Sequence, residues 1–260
     1  MKISLIGSGN MGSLLAKHFA HIQGVSLVLC NRDRAKGEKI AQELGASSEG
    51  ALEKAIEGAD WILLAVKPKD LKDIAVKHLP LKQNQGIISI LAGTSLDMLR
   101  KAFPGAHVVR MMPNLALSVQ KGILGFAEDG TLEEKQKEDI QRLFRGLGLL
   151  LWLPESKMEA FASLAASSPA FVFVMMEAMI EAGIFLGFQA GEARKIVLAV
   201  FEGCVALLQD PSAQPVDLKL KIASPAGMTI AGLRKLEAGG IRAAIADALE
   251  AAYHRGKGLH

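Results

Sequence analysis

Residues 3–12 read ISLIGSGNMG, an apolar run that ends in a glycine turn and opens at once into a segment with helical spacing. Gly7, Gly9 and Gly12 form a G-x-G-x-x-G pattern that is weak by itself, because glycine turns occur in every fold class. Here the order strand, turn, helix gives it weight. Gly7 permits the tight turn, Gly9 lets the backbone approach a pyrophosphate, and Gly12 lets the helix touch the strand. The helix start adds amides and the positive end of a dipole for the anion. Gly7, Ser8, Gly9, Asn10, Met11 and Gly12 are therefore candidate dinucleotide contacts, with a ligand-free glycine turn as the plainer alternative.

Outward from this turn, short β-rich runs alternate with helical ones up to about Pro154. Strands are expected at Lys2 to Ile6, Ser26 to Cys30, Trp61 to Val66, Gly86 to Ile90, His107 to Met111, Ile123 to Ala127 and Leu149 to Leu153. Helices are expected at Met11 to His21, Arg34 to Leu44, Gly50 to Ile56, Lys69 to Lys77, Leu96 to Phe103 and Thr131 to Leu143. Such alternation builds a largely parallel sheet covered on both faces. Beyond Pro154 the β-rich runs stop and helical spacing takes over, from Lys157 to Arg255. The expected fold class is α/β: a Rossmann-type, doubly wound domain over residues 1–154, then an all-helical domain over residues 155–260.

With 260 residues, half of them hydrophobic, the chain can build real cores. Its 30 Lys and Arg nearly balance 27 Asp and Glu and are scattered, which argues against a nucleic-acid or acidic-membrane surface. Cys30 and Cys204 lack a CxxC or a ligand-spaced His, so both are expected to be buried free thiols in a reducing cytoplasm. The six histidines show no convergent spacing, and no metal site is expected. The start, MKISLIGSG, lacks the long apolar core and cleavage site of a secretory signal. The uncharged run Ala160 to Met176 contains three serines and a proline and is shorter than a bilayer requires. It is expected to be a helix buried in a core or a subunit interface, with no membrane association.

At the end of the second strand the chain reads LCNRDR. A fold that prefers NAD places Asp or Glu there to hold the ribose 2′-hydroxyl. Asn31 stands in that place instead, and Arg32 with Arg34 can hydrogen-bond a 2′-phosphate that a carboxylate would repel. This favours NADP over NAD, although Arg32 and Asp33 also suit a solvated helix start. Ala65, Val66, Lys67 and Pro68 end the next strand, and Ala92 and Gly93 follow the one after, where open α/β sheets bind ligands. Pro113 and Asn114 are further candidates on the cofactor side. Asn114 is expected to orient a carboxamide or to cap the turn that follows, and Met111 and Met112 to pack beside the cofactor or fill core gaps.

Taken in order, GSGNMG, NRDR, AVKP, SILAG, RMMPN (Arg110 to Asn114), SSPAF (Ser167 to Phe171) and SPAGMTIAGLRKLEAGGIRAAIADA near the end resemble the pyrroline-5-carboxylate reductase family along the whole chain. The last block is the most specific. Its usual form is Ser-Pro-Gly-Gly-(Thr or Ala)-Thr with a later Leu-Glu-x-Gly-Gly, matched here by Leu236, Glu237, Gly239 and Gly240. The resemblance implies reduction of the cyclic imine L-1-pyrroline-5-carboxylate to L-proline with NADPH, NADH being the alternative donor. It further implies a homodimer with interlocked helical domains, often assembled into a decamer. It assigns Ser224, Gly227 and Met228 to the substrate carboxylate and Thr229, as the catalytic contact, to the ring nitrogen. The chemistry suits so sparse a site: a helix start preceded by glycine can seat a small carboxylate, and a protonated imine needs positioning more than a strong acid.

Some positions depart from the pattern. Ala226 stands where the first Gly of the pair is usual, Met228 where Thr or Ala is usual, and Phe171 where Tyr is common. Ala162 and Ala166 replace a common Thr and Gly, and no Asn occurs from Ser47 to Lys54. Three alternatives follow: a different cyclic imine, a β-hydroxyacid-dehydrogenase-like enzyme, and a non-catalytic NADPH-binding paralogue. The hydroxyacid enzymes use a Lys on the first long helix of the second domain, and Pro169 to Gly187 contains none. Glu177 and Glu181 read as a shared polar face, and Arg194 and Lys195 as surface charges.

Overall fold

The computed structural model describes residues 1–75, 79, 81–82, 85–128 and 130–258. His78, His260 and the expected helix end at Lys77 lie outside the described residues. Two compact units emerge: Met1–Ala166 together with the chain from Tyr253 onward, and Ser167–Ala252. This division falls later than the change of character at Pro154, because the intervening segment is pinned to the sheet by contacts described below.

The first unit runs β1 (Lys2–Ile6), α1 (Asn10–Ala20), β2 (Ser26–Cys30), α2 (Arg34–Leu44), β3 (Ser47–Glu49), α3 (Leu52–Ile56), β4 (Trp61–Leu64), α4 (Leu71–Ala75), β5 (Gly86–Ser89), α5 (Leu96–Ala102), β6 (His107–Pro113), β7 (Gly122–Glu128), α6 (Glu134–Phe144), β8 (Gly148–Trp152) and α7 (Met158–Phe161). The strands form one sheet in the order β3-β2-β1-β4-β5-β6-β7-β8. All neighbours are parallel except β6 and β7. The exception has a local cause. Only a 3₁₀ turn, Leu115–Val119, joins β6 to β7, too short for a crossover, whereas α6 carries the chain back for a parallel β8.

Central strands are buried on both faces, as parallel strands covered by helices must be. Trp61 and Leu63 of β4 face one core with Leu5, Phe19 and Val109, while Ile62 and Leu64 face the other with Ile6, Ile87 and Leu99. Phe144 anchors the first core between Phe19 and Phe126, with ring centroids 5.4 Å from each. β8 is an edge strand, and its Leu149 and Leu151 are exposed. The short, polar β3 was not expected from sequence; it exists because Val28 to Cys30 offers it a parallel ladder.

The second unit holds α8 (Ser168–Phe185), α9 (Ala190–Leu207), α10 (Pro215–Ile222), α11 (Met228–Ala238) and most of α12 (Ile241–Lys257). Within it, α8 packs on α9 where Gly183 meets Ala193; a Cβ on Gly183 would come within 3.1 Å of the Ala193 methyl. Only Ala193 and Val197 are buried among its described helices. One expectation changes as a result: Cys30 is buried but Cys204, on α9, is exposed. Of the apolar run Ala160 to Met176, Phe161, Ser163 and Ala165 are buried and the rest is partly or fully exposed within the single chain, which leaves the subunit-interface alternative in place. The helical run Glu155–Phe185 that contains it is long and apolar enough, by length and composition, to cross a membrane.

Candidate active site

At the carboxyl ends of the parallel strands the chain makes its sharpest turns. Gly7 adopts φ +95° with its backbone against Ala65 and Val66, so an L side chain there would be strained and crowded at once. A Cβ on Gly12 would collide with the Gly7 carbonyl, which fixes α1 tightly against the strand end. Gly9 differs, because a Cβ there meets no protein atom within 4 Å. Packing therefore does not demand glycine at this position, but close approach from outside does. The first intrahelical bond of α1 runs from the Ser13 amide to the Gly9 carbonyl, 2.8 Å, and no side chain caps the helix. The amides of Asn10, Met11 and Gly12 thus precede the helical ladder.

Two buried polar atoms at the ends of β1 and β2 have no protein partner: Ser8 Oγ in this turn and Asn31 Nδ2, which lies close to Gly37 of α2. Unpaired buried groups are costly, and a polar ligand at the turn would satisfy them. A dinucleotide fits this arrangement: uncommitted amides, an accessible Gly9, a hydroxyl and an amide donor lie together at one sheet edge. Arg32 is exposed with Nη1 3.4 Å from Asp70 Oδ1, and Arg34 pairs with Glu38 at 2.8 Å. Asp33 caps α2 through the Lys36 amide, 3.0 Å, so the helix-start reading of this residue holds. Lys67 and Pro68 open a 3₁₀ turn, Pro68–Asp70, after β4, with Ala65 and Val66 touching Gly7. Ala92 and Gly93 follow β5 in a turn with Gly93 at φ +65°. The fold brings all these predicted residues to the ends of β1, β2, β4 and β5.

Asn114 has a structural role that its sequence context did not suggest. Its Nδ2 donates to the Ala165 carbonyl (3.0 Å) and its Oδ1 accepts from the Ile123 amide (3.1 Å), so the amide ties β6 and β7 to a π-helical turn, Ala162–Ser167. It does not cap the 3₁₀ turn that follows. Pro113 closes β6 just before it and is buried. Met111 lies in the core and Met112 packs against the other one.

Arg110 is the polar residue whose role the sequence reading missed. It is 2% exposed inside β6, with Nη2 2.7 Å from Glu159 and Nη1 3.6 Å from Glu155. Glu155 also accepts from the Leu96 amide, 2.6 Å, at the start of α5. One ion cluster therefore fastens β6, α5 and the approach to α7 together, and Phe161 lies over Gly125 of β7 beside it. The signal was present: an arginine amid VVRMM must find carboxylates or stay costly, and Glu155 and Glu159 follow Pro154 with helical spacing.

The other predicted contacts lie in the second unit. Ser224 to Gly227 form a turn closed by the Gly227 amide donating to the Ser224 carbonyl, 3.1 Å, with Ala226 at φ +57°. Pro at the second position and positive φ at the third are the marks of a type II turn, which favours glycine where Ala226 stands. Gly227 begins α11 without a side-chain cap, and a Cβ on it would collide with Ser224 Oγ. The first helical donor is the Ala231 amide, 3.3 Å from the Gly227 carbonyl. Met228, Thr229 and Ile230 therefore present amides ahead of the ladder. Met228 is 95% exposed, whereas Thr229 is partly covered. Among the described residues no group of His, Cys, Asp or Glu could hold a metal ion.

Known proteins of the same build share both halves. Residues 155–259 match the family model for pyrroline-5-carboxylate reductase dimerisation, and residues 2–93 match that for NADP oxidoreductase, coenzyme F420-dependent. Pyrroline-5-carboxylate reductase of Aquifex aeolicus is 31% identical across 100% of this chain and 97% of its own. The crystal structure of 1-pyrroline-5-carboxylate reductase from Streptococcus pyogenes superimposes with a TM-score of 0.92 at 27% identity, covering 99% of this chain and 98% of that one. Plasmodium falciparum pyrroline carboxylate reductase, solved with NADP bound, reaches 0.88 at 25% identity over 100% and 98%. With its helical half matched by the dimerisation model and its whole length matched by a relative at 31% identity, the chain belongs to the pyrroline-5-carboxylate reductase family.

Proposed function

We propose that the protein reduces L-1-pyrroline-5-carboxylate to L-proline with NADPH, the last step of proline formation, as a cytoplasmic homodimer that can assemble into a decamer. The observation that carries this reading is that each unit holds an uncapped helix start suited to an anion: α1 behind an accessible glycine turn in the first, and α11 behind the Ser-Pro turn in the second. The division of labour follows the sequence boundary, with residues 1–154 for the cofactor and 155–260 for substrate and self-association.

Bound at the first turn, NADPH supplies a hydride to the imine carbon. The chain does the rest by holding groups in place. The amides of Asn10, Met11 and Gly12 with Ser8 Oγ hold the pyrophosphate, Asn31 and Arg32 hold the adenosine ribose and its 2′-phosphate, and the turns at Ala65–Pro68, Ala92–Gly93 and Pro113–Asn114 line the nicotinamide side. At the second turn the backbone of Gly227 and Met228, with the Ser224 hydroxyl, seats the carboxylate, while the Thr229 hydroxyl hydrogen-bonds the ring nitrogen. Because the protonated ring nitrogen is charged, removing such a hydroxyl costs roughly 1.5–3 kcal/mol. Thr229→Ala should therefore slow turnover or weaken imine binding by about 10- to 100-fold and leave NADPH affinity nearly unchanged.

The deciding measurement is a panel of cyclic imines with NADPH and NADH, products identified by mass. Proline from the five-membered carboxylate supports the reading. Turnover confined to another ring would assign a different substrate, an alternative that the exposed Met228 at the anion seat favours. Tight NADPH binding with no imine turned over would make the protein a non-catalytic binder.

A further inference from the structure

The cofactor turn carries an ion pair in an unusual place. Arg32 lies just beyond the end of β2, and Asp70 closes the 3₁₀ turn beyond β4. β1 runs between those two strands, and its continuation is the glycine turn. Neighbouring strands are about 4.8 Å apart, so β2 and β4 stand roughly 10 Å from each other. The contact between Arg32 Nη1 and Asp70 Oδ1, 3.4 Å, therefore reaches across the end of β1, next to the turn in which Ser8 Oγ is buried without a partner. The members are unequal: the Asp70 side chain is 20% exposed and that of Arg32 86%, so the carboxylate is the fixed end and the guanidinium the movable one.

We propose that Asp70 is a positioning residue that sets the margin between NADPH and NADH by competing for Arg32. This rests on the reading that Arg32 serves the 2′-phosphate. Asp70 holds the guanidinium across the turn, and a phosphate on the ribose must take it over against a carboxylate that stays nearby with the same sign of charge. A nucleotide without that phosphate gains nothing from the exchange. The other local carboxylates act differently. Asp33 is engaged at the start of α2, and Glu38 pairs with Arg34 along one helix face, away from β4. Lys67 and Lys69 precede Asp70 in the same turn and add positive charge near it.

The test titrates the full-length protein with adenosine 2′,5′-bisphosphate and with ADP by calorimetry. An exposed ion pair contributes up to about 1 kcal/mol, so freeing Arg32 in Asp70→Asn should tighten the bisphosphate by roughly three- to fivefold, while ADP stays within about twofold. The gain should vanish in the Arg32→Ala, Asp70→Asn double variant. Should Asp70→Asn leave bisphosphate binding unchanged or weaken it, while Arg32→Ala still weakens it selectively, the competition is refuted and the 2′-phosphate reading stands. If Arg32→Ala affects both nucleotides equally or not at all, that reading falls and the role of Asp70 falls with it.

Discussion

The sheet unit and the helical unit solve the burial problem in opposite ways. In the first, both faces of the central strands are packed, and Phe19, Phe126 and Phe144 interlock away from water. In the second, α8 has no buried residue and is apolar apart from Ser168, Glu177 and Glu181; Phe173, Val174, Ile184 and Phe185 stand exposed. So much contiguous apolar surface must be covered by something. The family match to a dimerisation domain over residues 155–259 supports a homo-oligomer, which makes another copy of the chain the expected cover. Secondary structure of equal regularity can therefore be complete in one half and wait for a partner in the other.

The sharpest way to break this contrast is to charge α8. Val174→Lys should abolish assembly and turnover, costing about 3–5 kcal/mol if the lysine meets an apolar partner surface. Light scattering should then record a monomer, and an intact oligomer would show that α8 is covered otherwise. Phe144→Ala in the sheet unit should cost about 3–4 kcal/mol through a cavity. Its loss, read by denaturant titration, should not depend on protein concentration, whereas stability lost from the helical half should. A concentration-dependent Phe144→Ala would erase the distinction.

Smaller effects sharpen the picture. Ala226 occupies a left-handed conformation that strains an L residue, and Ala226→Gly should relax the turn for a net gain of about 0.5–1 kcal/mol after the added freedom of the unfolded chain. A lower melting temperature in Ala226→Gly would show the strain is relieved elsewhere. Burial chiefly, with nearby His21 adding, holds His18 below the usual histidine range against the opposing effect of its hydrogen bond to the Leu143 carbonyl. The unfolded chain therefore binds more protons just below pH 6.5, and stability should decline as pH falls through that window until the folded ring itself titrates. Solvent screening keeps the change small, and His18→Gln should remove it from a pH series of denaturant midpoints.

Much of the first unit was legible because its signals are local. β1, β2 and α2 lie where apolar spacing puts them, and the glycine turn follows from what each glycine permits. Other features were not legible. The direction of β7 depends on how short the link from β6 is, and β3 forms because a neighbour offers it a ladder. Asn114 reads as a candidate cap for the turn after it, yet it caps nothing there and its amide ties Ala165 to Ile123. Arg110 looked like part of a motif and is the centre of a buried ion cluster. Cys204 reads as buried because α9 is apolar, yet the chain alone leaves it exposed.

By itself the sequence determined the alternation of elements, the glycine turn and the family, since periodicity and backbone freedom are properties of neighbouring residues. Only the tertiary structure decided which polar groups meet: Arg32 with Asp70, Arg110 with Glu159, Asn114 with Ala165. Those partners are far apart along the chain, and an ion pair or hydrogen bond forms only once packing has brought its two ends within about 3 Å.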